Sequence, residues 1–391
     1  MPKKSAHPFH VIVKPIGAVC NLNCQYCYYL DKKDLYPQKK SFRMPLAVLE
    51  EFTKQYILCQ PDSIQEIHFA WQGGEPSLLG LDFFKKAVAF QKEYAPQGVN
   101  IANSFQTNGT LLDDDWGQFF HDESFLIGIS LDGPEAIHDR FRTDSQGKGS
   151  FQQAMKGLEI LKKHKVEFNT LTVVNSYNGN QPQKVYEFLK QSGSTFFQFI
   201  PIVETDEKGS ITKESVGPRQ WGRFLQTVFD SWLSSDIGRI FVQRFDVCLG
   251  LHMGLLSSLC VFSETCGRAA ALEHNGDLYS CDHFVFKEYH LGNIAEQNLT
   301  SLIDSEKQKK FGKDKKDSLP KQCQKCHYLS VCNGGCPANR LDIKTGEPFR
   351  LNHLCEGYKL FFSHSRPYFK AMAKSLHAGN LAKDYPLFLK E

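Results

Sequence analysis

The chain has 391 residues, of which 41% are hydrophobic and 23% are charged, and its formal net charge is +3. This composition is typical of a folded globular protein, and a charge so close to neutral gives no indication of a nucleic-acid or membrane-surface partner. The length exceeds the ~100–200 residues of one ordinary domain, so two domains, or one large barrel with an appendage, are expected.

The start of the chain and its apolar runs give no sign of export or of a membrane partner. No apolar run approaches the ~18 residues that a membrane span needs. The segment 1–8 leads into a strand-like stretch and lacks the apolar core of a signal peptide. We therefore expect a cytoplasmic protein.

Segments rich in β-branched and aromatic residues alternate with helical patterns through the first 205 residues. The predicted strands are Phe9–Pro15, Glu66–Trp71, Ile101–Thr107, Phe125–Leu131, Phe168–Val174 and Phe196–Val203. The predicted helices are near 46–59, 81–94, 114–121, 150–164, 181–191 and 218–235. This α/β alternation predicts a parallel sheet, either curled into a (β/α)6 partial TIM-type barrel or laid open and doubly wound.

The sequence changes character after about residue 240. Seven cysteines fall between 266 and 355, and helical periodicity weakens. A lysine-rich stretch over 307–321 predicts a solvated helix and loop. We predict a barrel domain over 1–240, a cysteine-rich domain over 241–375 and a C-terminal tail over 376–391.

Thirteen cysteines, clustered in a long chain without an export signal, indicate metal ligation rather than disulfides. Cys20, Cys24 and Cys27 directly follow the first predicted strand with CxxxCxxC spacing. Structural zinc sites almost always have four protein ligands, and no fourth Cys or His lies close by in sequence. An iron–sulfur cubane with one open iron fits three ligands better. A zinc site completed by a distant residue, or unligated core cysteines, is the alternative.

This loop, followed by the aromatic residue Tyr28, resembles the signature of the radical S-adenosylmethionine (SAM) superfamily. The resemblance implies a [4Fe–4S] cluster whose open iron binds the amino and carboxylate groups of SAM. It also implies that SAM is cleaved to methionine and a 5′-deoxyadenosyl radical, chemistry that belongs to the cofactor.

Further segments are similar to SAM-binding elements of that superfamily. The Gly-Gly-Glu-Pro turn after the second strand resembles the element whose backbone meets the SAM amino group, where a side chain would block close approach. An arginine fork suits the SAM carboxylate. The resemblance implies these SAM-binding residues: Tyr26, Gly73, Gly74, Glu75, Ser130, Arg142 and Val203.

Eight more cysteines lie in the C-terminal half, enough for two sites of four thiolates. Two zinc ribbons would also use them. Their spacing resembles the SPASM domain, the twin-cluster extension of radical SAM enzymes that modify peptides. The resemblance implies that one auxiliary [4Fe–4S] cluster binds Cys260, Cys266, Cys281 and Cys336. It implies that a second binds Cys323, Cys326, Cys332 and Cys355. The remaining Cys59 and Cys248 are predicted to be ordinary buried cysteines.

Asp282 directly follows Cys281 and matches the catalytic base of the anaerobic sulfatase-maturating enzymes. The resemblance to this family extends over nearly the whole chain. It implies oxidation of a cysteine or serine of a sulfatase to Cα-formylglycine, with Asp282 accepting the thiol or hydroxyl proton. A general base of this kind typically raises the reaction rate by about 10²–10⁴-fold.

The same resemblance implies the partners. They are a sulfatase polypeptide with a Cys/Ser-x-Pro-x-Arg type motif and an electron donor such as flavodoxin or ferredoxin. Two other functions remain open from the sequence: a SPASM maturase that cross-links or otherwise modifies a ribosomal peptide, and a zinc-dependent scaffold without catalysis.

Overall fold

The computed structural model describes residues 3–38, 41–206, 208–340 and 350–389. Its strands are, in chain order, β1 His10–Lys14, β2 Glu66–Trp71, β3 Asn100–Thr107, β4 Leu126–Ser130, β5 Phe168–Val174, β6 Phe196–Pro201, β7 Phe241–Val242, β8 Ala269–Glu273, β9 Asp277–Tyr279 and β10 His290–Asn293. Its α-helices are α1 Leu46–Leu58, α2 Leu81–Tyr94, α3 Asp114–Asp122, α4 Glu135–His138, α5 Phe151–Lys163, α6 Pro182–Gln191, α7 Pro218–Ser235, α8 Gln243–His252, α9 Leu299–Ile303, α10 Glu306–Asp317, α11 Lys321–Gln324, α12 Leu329–Cys332 and α13 Cys355–His377.

The chain divides into two compact units. The first unit comprises Met1–Ser130, Phe141–Phe168 and Cys266–Lys313. The second unit comprises Leu131–Arg140, Asn169–Thr265 and Asp314–Glu391. Each unit contains residues from both the N-terminal and the C-terminal part of the sequence. The domain boundaries at residues 240 and 375 remain a prediction.

In the first unit, strand β1 lies inside the sheet rather than at its edge. It pairs in parallel with β2 on one side and with β8 on the other. Strands β2, β3 and β4 continue the parallel sheet, whereas β9 and β10 extend it antiparallel beyond β8. A strand from the cysteine-rich part of the sequence therefore lies beside the strand that leads into the three-cysteine loop.

Aromatic rings form the core of the first unit around β2 and β3. The Phe69 ring lies 5.8 Å from Phe52 of α1, and the Phe105 ring lies 4.9 Å from Phe84 of α2. Trp71 is also buried, and its ring lies 5.6 Å from Phe84. Such apolar strands are expected where helices cover a parallel sheet.

The second unit has its own parallel strands, β5, β6 and β7, and an aromatic core between helices. The ring of Phe229 on α7 lies 5.3 Å from Phe245 of α8 and 5.2 Å from Phe369 of α13. Helix α13 packs along α7, so this long C-terminal helix forms part of the core.

None of the helices within the described ranges has the length and apolarity that crossing a membrane requires.

The six predicted strands and six predicted helices are confirmed, with ends that differ by no more than two residues. The expectation of a solvated lysine-rich stretch is wrong in part. Gln308 and Lys315 of α10 are each only 1% exposed, because backbone carbonyl groups accept hydrogen bonds from both side chains.

Candidate active site

The three-cysteine loop is held on one side by the Gly-Gly-Glu-Pro turn that follows β2. The N–H of Gly74 donates to the carbonyl of Gly17 at 2.8 Å. The next N–H, that of Glu75, donates to the carbonyl of Val19 at 2.9 Å. A Cβ added to Gly74 would lie 1.9 Å from the Val19 carbonyl oxygen, so only glycine allows this approach.

On its other side the loop is held by the segment that follows α4. The N–H of Asn23 donates to the carbonyl of Thr143 at 2.7 Å, and the N–H of Gln25 donates to that of Phe141 at 3.1 Å. The same segment carries Arg142, whose guanidinium lies 5.6 Å from the ring centroid of Tyr26. Backbone hydrogen bonds on both sides therefore fix the path of the chain through the cysteines.

The side chain of Glu75 is used within the protein. It is 1% exposed, and its two oxygens accept from the Ser77 N–H and hydroxyl, the Thr107 hydroxyl and the Asn108 N–H at 2.7–3.1 Å. Burial raises the pKa of Glu75, and these hydrogen bonds oppose the rise. Its carboxyl group thus ties the turn after β2 to the turn after β3.

The other predicted SAM-binding residues lie in both units. Gly73 precedes Gly74 in the turn after β2, and Ser130 ends β4 with 7% exposure in the first unit. Arg142 is equally buried in that unit. Val203 lies after β6 in the second unit. The contacts of these residues with SAM stay a prediction.

The predicted base, Asp282, lies beside the three-cysteine loop in the first unit. Asp282 starts a short 3-10 turn directly after Cys281. The hydroxyl of Tyr28 donates to the Asp282 carboxylate at 3.4 Å, and the Tyr28 ring stacks on His283 at 5.2 Å. Since Tyr28 follows Cys27, the carboxylate is tied to the loop of the first three cysteines.

A buried lysine that the sequence analysis missed ends β1 next to this carboxylate. Lys14 is 1% exposed, and its ammonium donates to the Gln72 side chain at 3.0 Å and lies 4.4 Å from the Tyr29 ring centroid. Burial lowers the pKa of Lys14, although the negative charge of Asp282 opposes this. Burial alone would raise the pKa of Asp282, but the positive charges of His283 and Lys14 lower it overall.

Four of the C-terminal cysteines line one cavity in the second unit. Its walls include the rings of Tyr328, Tyr358 and Phe362. The cysteines that line it are Cys323, Cys326, Cys332 and Cys355. Four thiols around one space, with no histidine or carboxylate among its lining residues, form a donor set that suits an iron–sulfur cluster.

The other four C-terminal cysteines are divided between the units. Cys266 and Cys281 belong to the first unit, whereas Cys260 and Cys336 belong to the second. In the first unit, the Gln308 amide donates at 3.0 Å to the carbonyls of Gly267 and Ser280. Gln308 thereby links the residue after Cys266 to the residue before Cys281.

The position of Cys260 in the second unit is fixed by a buried lysine. The ammonium of Lys315 donates to the backbone carbonyls of Cys260 at 2.5 Å and Val261 at 3.1 Å.

Cys59 and Cys248 are 0% and 1% exposed, as predicted for ordinary buried cysteines.

Within the described part of the chain, no three His, Cys, Asp or Glu side chains converge closely enough to hold one metal ion.

Comparison with known proteins identifies the family. The radical SAM superfamily profile matches residues 15–189, and that of the SPASM iron–sulfur cluster-binding domain matches residues 260–327. The chain is 45% identical over 387 residues to a serine-type anaerobic sulfatase-maturating enzyme of Bacteroides thetaiotaomicron, covering 95% of this chain and 92% of that one. The chain belongs to the anaerobic sulfatase-maturating enzyme family.

Cysteine-type members and solved structures agree with this assignment. A cysteine-type anaerobic sulfatase-maturating enzyme of Clostridium perfringens is 35% identical over 364 residues, covering 92% of this chain and 97% of that one. The structure of anSMEcpe with bound AdoMet matches with a TM-score of 0.85 at 34% identity, over 94% of this chain and all of that one. The predicted radical SAM α/β fold is therefore confirmed, and the protein is a radical SAM enzyme.

The sequence analysis missed Lys14, Gln308 and Lys315. Lys14 could have been noticed from the sequence, since a lysine at the end of the apolar segment His10–Lys14 is unusual for a strand buried on both faces. The other residues have no such local sequence feature, because their hydrogen-bond partners lie far away in sequence.

Proposed function

We propose that this enzyme oxidises a cysteine or serine residue of a sulfatase polypeptide to Cα-formylglycine. In the same turnover, SAM is cleaved to 5′-deoxyadenosine and methionine. The observation that carries the proposal is the hydrogen bond of 3.4 Å between Tyr28, which follows Cys27, and Asp282, which follows Cys281. It supports a proton acceptor beside the site where the radical is formed.

The cofactors of this family are SAM and [4Fe–4S] clusters. We propose that Cys20, Cys24 and Cys27 bind the cluster that holds SAM, with SAM contacts from Tyr26, Gly73, Gly74, Glu75, Ser130, Arg142 and Val203. For Glu75 we propose a backbone contact, because its carboxyl oxygens are fully hydrogen-bonded within the protein.

We propose two auxiliary cluster sites with four thiolate ligands each. One consists of Cys260, Cys266, Cys281 and Cys336. The other consists of Cys323, Cys326, Cys332 and Cys355, a set supported by their shared cavity. Complete ligation by protein would leave no iron open at either site, which favours electron transfer as their role.

When bound, SAM and the clusters supply a 5′-deoxyadenosyl radical that takes a hydrogen atom from the substrate Cβ, and an acceptor for one further electron. The residues of this chain handle the proton. Asp282 accepts it from the substrate thiol or hydroxyl, while the Tyr28 hydroxyl orients the carboxylate. A serine target then gives the aldehyde directly, whereas a cysteine target gives a thioaldehyde, which water hydrolyses to the aldehyde with release of hydrogen sulfide. Lys14, buried nearby, provides a positive charge that favours the carboxylate form.

The partners and the compartment follow from this chemistry. We propose a substrate segment of the Cys/Ser-x-Pro-x-Arg type and an electron donor such as flavodoxin or ferredoxin. We propose a cytoplasmic setting, because oxygen attacks exposed clusters and the modification would precede export of a sulfatase.

The function is tested by anaerobic incubation with SAM, dithionite and a matched pair of peptides that carry cysteine or serine at the target position. We expect formylglycine in at least one peptide, detected by mass spectrometry and by reaction of the aldehyde with a hydrazide. Formation of 5′-deoxyadenosine without aldehyde, together with a cross-linked peptide, would support the maturase alternative and reject sulfatase maturation.

The role of Asp282 is tested by Asp282→Asn, which keeps the shape of the side chain and removes the base. We expect the rate of aldehyde formation to fall by about 10²–10⁴-fold, with the iron content unchanged. The matched control is Asp277→Asn, because Asp277 on β9 bonds to Asn275 and Asn293. A wild-type rate in Asp282→Asn would show that this carboxylate is not the base.

A further inference from the structure

A buried asparagine links the turn after β3 to the three-cysteine loop. Asn108 directly follows β3 and is 8% exposed. Its Nδ2 lies 2.9 Å from Oδ1 of Asn21 and 3.8 Å from Sγ of Cys20. Its Oδ1 accepts from the N–H and the hydroxyl of Thr110 at 3.0 and 2.7 Å. The side chain therefore makes specific contacts with the loop that carries the cluster ligands.

Chemistry fixes the orientation of this amide. A carboxamide has two N–H donors and two acceptor lone pairs, and Asn108 uses all four. The Thr110 N–H can only donate, so the amide oxygen must face Thr110. The NH₂ group must then face Asn21 and Cys20, and a flipped amide would direct its oxygen at the sulfur.

Further hydrogen bonds hold Asn108 and its partners in place. The backbone N–H of Asn108 donates to the buried Glu75 carboxylate at 2.7 Å. Asn21 donates its own amide to the Thr110 hydroxyl at 2.8 Å, which closes a ring of hydrogen bonds. The turn itself requires Gly109, whose φ is +77°. Asn108 is thus a fixed donor and not a mobile side chain that happens to contact the loop.

We propose that Asn108 is a positioning residue that raises the reduction potential of the N-terminal cluster. Its side-chain NH₂ group donates to the Cys20 sulfur, which also accepts from the Leu22 N–H at 3.4 Å. Hydrogen bonds to ligand sulfurs stabilise the more negative, reduced form of an iron–sulfur cluster. The inference rests on the proposed ligation by Cys20, and it is independent of which residue of the substrate is oxidised.

The test compares Asn108→Ala and Asn108→Asp with Asn103→Ala in the iron-loaded enzyme. Asn103 is a matched control, since it lies on β3, the strand that leads to Asn108, at 6% exposure, and its side chain bonds to Trp71 and Gln91. The midpoint potential of the N-terminal cluster is measured by redox titration followed by electron paramagnetic resonance. That cluster is recognised by the change in its signal when SAM is added.

We expect Asn108→Ala to shift the reduction equilibrium about tenfold toward the oxidised cluster, which is about 59 mV for one electron. Asn108→Asp directs a carboxylate oxygen at the sulfur, so we expect a larger shift or loss of about four of the roughly twelve irons that three cubanes require. Asn103→Ala should leave the potential unchanged, even where it lowers thermal stability equally.

Three outcomes would overturn the inference. One is a wild-type potential in Asn108→Ala with full iron content. Another is an equal shift of the potential in Asn103→Ala. The third is a loss of all irons and of the native circular dichroism in both Asn108 variants, which would show a general folding role. A wild-type enzyme without any SAM-sensitive cluster signal would instead reject the proposed function.

Discussion

The three-cysteine loop of the first unit and the four-cysteine cavity of the second unit are held in different ways. The loop is fixed by backbone hydrogen bonds to Gly74, Glu75 and the segment Phe141–Thr143, and by the amide of Asn108. The cavity has aromatic rings between its cysteines. Backbone hydrogen bonds thus constrain the first site, and we expect the second to depend more on what its cysteines bind.

The elements that carry the cavity cysteines explain this difference. Cys323 and Cys332 lie on α11 and α12, which have four residues each. Helices this short gain almost nothing from their own hydrogen bonds. Only Cys355 starts a long helix, α13, which packs on α7. We therefore expect metal binding and folding to be coupled in this part of the chain.

The largest effect is expected where the first site is most tightly built. Gly74→Ala places a Cβ against the Val19 carbonyl, and backbone atoms cannot move aside as a flexible side chain can. We expect loss of the N-terminal cluster, about four irons per chain by iron analysis, and no formation of 5′-deoxyadenosine.

The control for this change is Gly250→Ala in α8, where the nearest atom to an added Cβ is 3.7 Å away. That variant should keep all its irons and its activity. If Gly74→Ala also retained the full iron content and cleaved SAM, the loop would be far more adaptable than its hydrogen bonds indicate.

A large effect is also expected when iron is removed from the whole protein by an anaerobic chelator. Without iron, the segment from α11 to Gly335 should lose its protection from amide hydrogen exchange, because short helices and unpaired thiols cannot hold it. Segments of β1 to β4 should keep most of their protection, since their core is aromatic and contains no metal ligand.

Hydrogen exchange with mass spectrometry resolves the two regions in one experiment. Equal loss of protection in both regions would remove the distinction between them. Unchanged protection around Cys323 and Cys332 would show that the cavity is shaped by the protein alone.

The smallest effect concerns acid stability at the start of β1. Burial, together with the nearby His68, lowers the pKa of His10 from 6.5 to about 4. Between these values the unfolded chain binds a proton that the folded chain does not, so stability is present above pH 6.5 and is lost as the pH falls toward 4. From pH 7 to pH 5 we expect a loss of about 1–2 kcal/mol from this group.

Anaerobic denaturant unfolding of the iron-loaded protein at the two pH values measures this loss, and His10→Gln is the matched variant. The variant should lose less stability than the wild type over the same interval. An equal pH dependence in both proteins would mean that His10 has no part in acid sensitivity.

Several features of this protein are local properties of its sequence. The six predicted strands and the six predicted helices follow from apolar runs and helical periodicity, which depend on neighbouring residues, whereas the four-residue helix α4 was not predicted. The three cysteines after β1 are recognisable as a motif because they lie within eight residues. Asp282 could be predicted as the base because it is adjacent to Cys281, and this role stays a prediction.

Other features exist only in the folded chain, because the partners lie far apart in sequence. The pairing of β1 with β8, the contact of Tyr28 with Asp282 and the donation from Asn108 to Cys20 join residues separated by 88 positions or more. Lys315 lies in a lysine-rich stretch that is predicted to be solvated. In the folded chain, backbone carbonyl groups that are distant in sequence accept hydrogen bonds from its ammonium. Such contacts depend on how the strands and helices pack, so they cannot be predicted from the spacing of residues along the chain.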